Sequence, residues 1–172
     1  HRRFGLQASD LPRIRHWLEL VAVRWGKDGA DREKFGLPVT GQNSWQAGLD
    51  RLLLGYAFPG SGDELFEGVL PCSEVEGSEA QLVGYLHSFL STLFDLETQI
   101  LSAAPVSVWK VRINDLIDRF FDPDEESIPQ IQALRSAIAR TEECAAQAGF
   151  SGSVSRELIS TQLRQQLSIP TS

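Results

Sequence analysis

Histidine and cysteine are the side chains of this chain that could bind a transition metal or attack a substrate. The sequence holds three histidines and two cysteines. A structural zinc site needs Cys or His pairs at short spacing, and neither Cys72 nor Cys144 has such a neighbour. His87 has no second ligand three or four positions away on its predicted helix, and His1 and His16 are interpreted as surface residues. The sequence therefore predicts no catalytic residue, no metal site and no cofactor, with both cysteines reduced.

A group of carboxylates could in principle hold a cation. Its members are Asp122, Asp124, Glu125 and Glu126. A calcium loop alternates its ligands around a central Gly and ends in Glu, and this segment has no such pattern. Negative charge at the start of a helix is stabilised by the helix dipole. The segment is thus predicted to be the solvated beginning of a helix.

Basic residues near the N-terminus are the remaining candidates, since they could contact DNA. The chain has no phosphate-binding loop, and its net charge of -7 gives no broad basic field. Contact with DNA must therefore be local, through cations interleaved with aromatic rings. Trp17 and Trp25 lie among the cations but also fall on the apolar face of a predicted helix, so core packing stays open beside DNA contact. The candidate contacts are Arg13, Arg15, Arg24 and Lys27.

Helices predicted from apolar spacing must position these residues. Apolar side chains recur at helical intervals as far as Trp25, which indicates a first helix capped by Asp10 and ended by Gly26. A loop rich in Gly and Pro covers 27–42. Ser44 then caps a second helix.

Further amphipathic segments follow, bounded by Gly, Pro or Ser. Their apolar faces cover 82–100, 109–120, 131–138 and 159–167. Gly149 is placed to stop the third of them. We find no alternating strand and no internal repeat. The predicted fold is all-α, an irregular bundle of about six or seven helices forming one domain over 1–172, with a possible hinge at 151–153.

The start of the sequence and the length of its apolar runs lead to two further expectations. It begins with His1 and holds no Met, which we interpret as a piece of a longer chain. No secretory signal pattern opens it, and its apolar runs stop short of the roughly 20 residues that a membrane helix needs. We therefore expect no membrane segment and a cytoplasmic location.

Two stretches of the sequence have residue patterns that point to a protein family more specifically than the overall composition can. The first reads Arg-Trp-Gly-Lys-Asp at 24–28 and is followed by Gly-Leu-Pro at 36–38. The second reads Asn-Ser-Trp-Gln-Ala-Gly-Leu-Asp-Arg-Leu-Leu-Leu-Gly-Tyr-Ala at 43–57. Together they resemble the signature of the RecC family, the gamma subunit of exodeoxyribonuclease V (RecBCD). The resemblance is strong as far as Pro71 and looser beyond it.

The resemblance implies a part of a larger DNA-repair machine. RecC is similar in architecture to a superfamily 1 helicase without ATPase motifs; it holds RecB and RecD together, splits the incoming duplex and scans the 3′ strand for Chi. The segment resembles the helical 2B subdomain of such helicases and has no catalytic residue to carry over. The implied partners are RecB, RecD and, through the assembled complex, DNA. A free-standing helical adaptor that shares the signature by chance is the alternative.

Glycines within the signature also have a structural interpretation. Gly48 and Gly55 cost about 1 kcal/mol each in mid-helix, which predicts that another backbone approaches closely. Gly26 is placed to leave a helix with positive φ, and Trp25 is predicted to fill the bundle beside it. The signature itself thus predicts a scaffold.

Overall fold

The computed structural model describes residues 2–60, 64–75 and 77–168, and it is all-α, as predicted. Within those ranges there are seven α-helices and no β-strand, only two isolated β-bridges. The helices are α1 (Leu11–Leu20), α2 (Gly29–Glu33), α3 (Trp45–Ala57), α4 (Ala80–Leu101), α5 (Val106–Phe120), α6 (Ile128–Gln147) and α7 (Arg156–Ser168). Short 3-10 turns cover Arg2–Phe4, Ala8–Asp10 and Gly77–Glu79.

The chain forms two compact units, 1–91 and 92–172. The boundary falls inside α4, so the N-terminal unit holds α1 to α3 and the C-terminal unit holds α5 to α7. The assignment of 1–172 to one domain stays a prediction, as does the hinge at 151–153.

The first helix ends earlier than the apolar spacing predicts. α1 stops at Leu20 because Ala22 takes the left-handed conformation with φ 57°. The N–H of Val23 then donates to the Leu18 carbonyl at 3.0 Å, and that of Ala22 to Glu19 at 3.1 Å. This is the Schellman pattern of a helix end, with Ala where Gly is usual. Tertiary packing explains the early stop, since the turn places Val23 against α3 at Gly48.

The helix ends predicted at Ser44 and Gly149 are confirmed, whereas the cap predicted at Asp10 is wrong. Asp10 does not cap α1, since its carboxylate accepts from the Gln7 N–H at 2.8 Å within the preceding turn. Ser44 caps α3 as predicted, and its hydroxyl accepts from the Ala47 N–H at 3.2 Å. Gly149 ends α6 as predicted, with φ 65°.

Buried side chains of the N-terminal unit come mainly from α1, α3 and α4: Ile14, Trp17, Leu49, Leu52, Val83, Leu86 and Leu90. The close approach predicted at Gly55 is confirmed, because a Cβ there would lie 1.9 Å from the Cys72 carbonyl oxygen. Cys72 is held in place by its N–H, which donates to the Arg51 carbonyl of α3 at 2.8 Å. At Gly48 the neighbour is a side chain instead, Val23 Cγ2 at 2.4 Å from the would-be Cβ.

In the C-terminal unit, α5, α6 and α7 share one apolar core. Its buried members are Ala104, Val106, Trp109, Ala137, Ile138, Val154, Ile159 and Leu163. Ala104 and Val154 exchange two backbone hydrogen bonds, at 3.1 and 2.9 Å. The Trp109 indole also donates to the Val154 carbonyl, at 2.9 Å. The segment before α7 is therefore fastened to the start of α5.

Candidate interaction surface

The first signature stretch and the residues that join it to the second form a loop, 24–43, which we call the signature loop, and α2 lies within it. Asp28 caps α2, since its carboxylate accepts from the Asp31 N–H at 3.1 Å. Asp31 accepts from the Lys27 N–H at 2.6 Å and from the Lys34 ammonium group at 2.5 Å. The Lys34 hydrogen bond, followed by that of the Lys27 backbone, holds the pKa of Asp31 below its usual value. Lys27 and Asp28 thus serve the architecture of the loop.

Replacing Asp31 with Asn is expected to lower the free energy of unfolding by about 1 kcal/mol near neutral pH, because two charge-assisted hydrogen bonds are weakened. The folded pKa is lowered, so this contribution is present above the ordinary carboxyl pKa and is lost as the pH falls through the folded pKa. Urea unfolding at several pH values measures it. The difference in the free energy of unfolding between the wild type and Asp31→Asn should disappear at acidic pH. A gap that is constant with pH would contradict the assignment, and exposed Asp122→Asn is the control.

Trp25 packs inside the signature loop. It is half-buried, and the Arg32 guanidinium lies 4.5 Å from its ring centre, which is cation–π geometry. Its indole N–H donates to the Gln42 carbonyl at 3.1 Å, while Arg32 donates to the Thr40 hydroxyl at 2.6 Å. The prediction that Trp25 fills the helix bundle is therefore wrong, whereas Trp17 is fully buried, as its core alternative predicted.

Backbone hydrogen bonds fasten this loop to the start of α3. A helix leaves its first N–H groups without partners inside the helix. Here the N–H of Trp45 donates to the Gly26 carbonyl at 3.1 Å, and that of Gln46 to the Lys27 carbonyl at 2.9 Å. Gly26 has φ 43°, the positive value predicted for it, although it lies in the loop and not at a helix end. The loop is thus a helix cap as well as a connection.

On this base the loop exposes three apolar side chains, which we call the apolar tip: Phe35, Leu37 and Val39. Their exposed fractions are 78%, 49% and 63%. A contiguous exposed apolar patch usually marks a contact with another molecule, and these three side chains lie within five residues of one loop. Sequence reasoning missed them, although three apolar residues at alternating positions in a loop rich in Gly and Pro were a usable signal.

The four predicted DNA contacts are spread over different elements. The Arg13 guanidinium binds the Glu79 carboxylate at 2.5 and 2.8 Å and the Glu74 carbonyl at 3.0 Å. Arg15 is exposed, but two positions along a helix turn a side chain by about 200°, away from Arg13. Arg24 is exposed and Lys27 half-buried, both in the signature loop. These residues do not share one helix face, and contact with DNA through them stays a prediction.

Other groups singled out in the sequence have ordinary surroundings. His16 pairs with the Glu74 carboxylate at 2.8 Å, and His87 is exposed. At the start of α6, Asp124 accepts from the Ser127 N–H at 3.0 Å, as expected of a helix-start carboxylate. Residues 2–60, 64–75 and 77–168 contain no cluster of three His, Cys, Asp or Glu side chains arranged to hold a metal ion. No described helix combines the length and apolar character that a membrane crossing requires.

Comparison with known proteins gives one consistent result. The family model described as RecBCD enzyme subunit RecC, fourth domain, matches residues 1–171. The chain is similar to the RecBCD enzyme subunit RecC of Escherichia coli (strain K12), with 36% identity over 125 residues, 73% of this chain and 11% of that protein. The subunit RecC of Haemophilus influenzae is 27% identical over 165 residues, which cover 96% of this chain and 14% of that protein. The chain thus spans only a small part of the length of these curated relatives.

Proposed function

Because the chain belongs to the RecC family, we propose that it is a noncatalytic helical part of a RecC subunit and that it supports the assembly of a RecBCD-type complex in DNA repair. RecB and RecD are the proposed partners, and the proposed role of the whole subunit includes splitting the duplex, guiding the strands and scanning for Chi. A likeness to the helicase 2B subdomain stays a prediction. The alternative of a free-standing helical adaptor assumes that the chain shares the RecC signature by chance. Because the chain belongs to the RecC family, that assumption no longer holds.

The observation that carries the assembly role is the apolar tip. Signature residues are used to build its base: Trp25 packs on Arg32, the Gly26 carbonyl caps α3, and Asp28 caps α2. A loop that is already held in one conformation loses less conformational entropy when it binds. Exposed apolar side chains on such a loop can therefore contribute more of their contact energy to binding. The positions of these three signature residues therefore support presentation of a surface, a role that needs no chemical step.

The test uses the full-length subunit with Phe35, Leu37 and Val39 replaced by Ser. We expect its affinity for purified RecB and RecD to fall by about tenfold or more, because a few anchor residues carry most of the binding energy of an interface. The matched control is Val111→Ser with Leu158→Ser, which removes exposed apolar side chains from α5 and α7. Equal affinities for the tip variant, the control and the wild type would refute the assembly role.

A further inference from the structure

A second surface, which is concave, lies beside the C-terminal half of α3, and we call it the α3 groove. Leu53 and Leu54 of α3 form one wall, around a volume of about 540 Å³. The other wall is formed by Phe66, Glu67 and Val69. A smaller groove of about 320 Å³ shares Asp50 and Val69 with it, so the two adjoin. The stretch from Ala47 to Phe58, the residue that follows α3, is about 16 Å long, enough for a helix of three turns or about five extended residues.

The wall opposite α3 is a tight turn. Phe66 and Val69 exchange backbone hydrogen bonds at 3.0 and 2.9 Å. The two residues between them both have positive φ, 48° at Glu67 and 82° at Gly68, which is the pattern of a type I′ turn. The Phe66 ring stacks on Phe58, with ring centres 4.2 Å apart and planes 18° apart. The groove thus ends in an aromatic pair of which Phe58 is 44% exposed.

The charge in this groove is negative. Asp50 and Glu67 both line it, and no Lys or Arg pairs with either of them in the part of the chain that the structure describes. Among the described side chains, the one that donates to Asp50 is the neutral Gln46 amide, at 2.9 Å. The nearby cation, Arg51, is turned to the Leu70 carbonyl at 2.9 Å. Within the described ranges, the apolar wall formed by Leu53 and Leu54 therefore lies beside two carboxylates that have no Lys or Arg partner.

We propose that the α3 groove binds a segment of a partner subunit that presents a Leu- or Phe-sized anchor with a Lys or Arg on the same face. The anchor contacts Leu53 and Leu54, and the cation lies between the carboxylates and the exposed ring of Phe58. This inference rests on the proposed assembly role and adds a second contact to it. The groove selects its partner by charge, whereas the apolar tip does not.

The experiment removes only the charge. The full-length subunit carrying Asp50→Asn and Glu67→Gln keeps the shape of the groove and the backbone of the turn. We expect it to bind purified partner subunits about five- to tenfold more weakly at low salt, and the difference should shrink at high salt, because partly exposed ion pairs are screened. The matched control, Asp122→Asn with Glu125→Gln, makes the same charge change on exposed residues before α6.

The outcomes separate this inference from the proposed function. If the apolar tip variant weakens binding while the groove variant behaves like its control, the groove inference fails and the assembly role stands. If the tip variant binds like its control, the assembly role proposed for the tip fails, whatever the groove variant does. Protection of the Asp50 and Glu67 carboxylates from carbodiimide labelling in the subunit alone would assign the groove to the same polypeptide. Self-association that the groove variant abolishes would assign it to a second copy, and either result overturns the inference.

Discussion

Gly55→Ala is expected to lower the free energy of unfolding by about 3 kcal/mol, at the upper end of what overpacking costs. An added Cβ would lie 1.9 Å from the Cys72 carbonyl oxygen and 2.7 Å from its carbon. The Cys72 backbone cannot move away easily, because its N–H is bound to Arg51 of the same helix at 2.8 Å. The better helix propensity of Ala offsets only about 1 kcal/mol of the cost.

Gly84→Ala is the matched control for Gly55→Ala. Gly84 is also helical, in α4, but it is exposed and nothing lies within 4 Å of an added Cβ. This variant should therefore gain about 0.5 to 1 kcal/mol from helix propensity alone. Urea unfolding of the chain measures both variants. Effects of the same sign would show that α3 and Cys72 do not pack as closely as described.

The other large effect is expected in the C-terminal unit, at Trp109. Trp109→Ala should cost about 3 to 5 kcal/mol, the usual range for truncation of a buried aromatic side chain. Trp109 is 2% exposed in the core formed by α5, α6 and α7. Urea unfolding measures the cost, and a loss below about 1 kcal/mol would contradict the described core.

Trp109→Phe separates packing from hydrogen bonding. It keeps most of the apolar volume but loses the bond from the indole N–H to the Val154 carbonyl. We expect a loss of about 1 kcal/mol, since the Ala104 N–H still donates to the same carbonyl at 3.1 Å. Cleavage by a protease at 151–153 should become faster, because that segment precedes the weakened contact. An unchanged cleavage rate would show that Trp109 does not restrain it.

Much of the fold could be predicted because helices and their ends are determined by residues close together in the sequence. Helical spacing of apolar residues gave an all-α chain, and the cap at Ser44 and the stop at Gly149 follow from side-chain and backbone chemistry over one turn. The close approach at Gly55 was also predictable, since a mid-helix Gly is costly unless another backbone needs the space.

Features that depend on distant contacts could not be predicted. Ala22 adopts the left-handed conformation although Ala does not favour it, because the turn brings Val23 onto α3. The same early turn takes Trp25 out of α1 and places it in the signature loop. The α3 groove was missed for the same reason, since its two walls meet only in the tertiary structure.

The candidate surface shows the same limit. The signature residues were found in the sequence, but their role as the base of a loop needed the hydrogen bonds from Trp45 and Gln46 to the loop carbonyls. The cations were found too, yet the partner of Arg13 is Glu79, far away in sequence. Residue spacing in the sequence therefore indicates candidate residues for an interaction surface, but their contacts are known only from the tertiary structure.

Crosslinking from the apolar tip of the assembled complex tests the assembly role most directly. A photoreactive benzoylphenylalanine in place of Phe35 keeps an exposed aromatic group at the tip, and the same group at exposed Gln132 of α6 is the control. We predict that the tip position crosslinks to RecB or RecD and that the control position does not. A tip that crosslinks only to DNA, only to its own polypeptide or to nothing would contradict the claim that the signature loop presents a surface for a partner subunit.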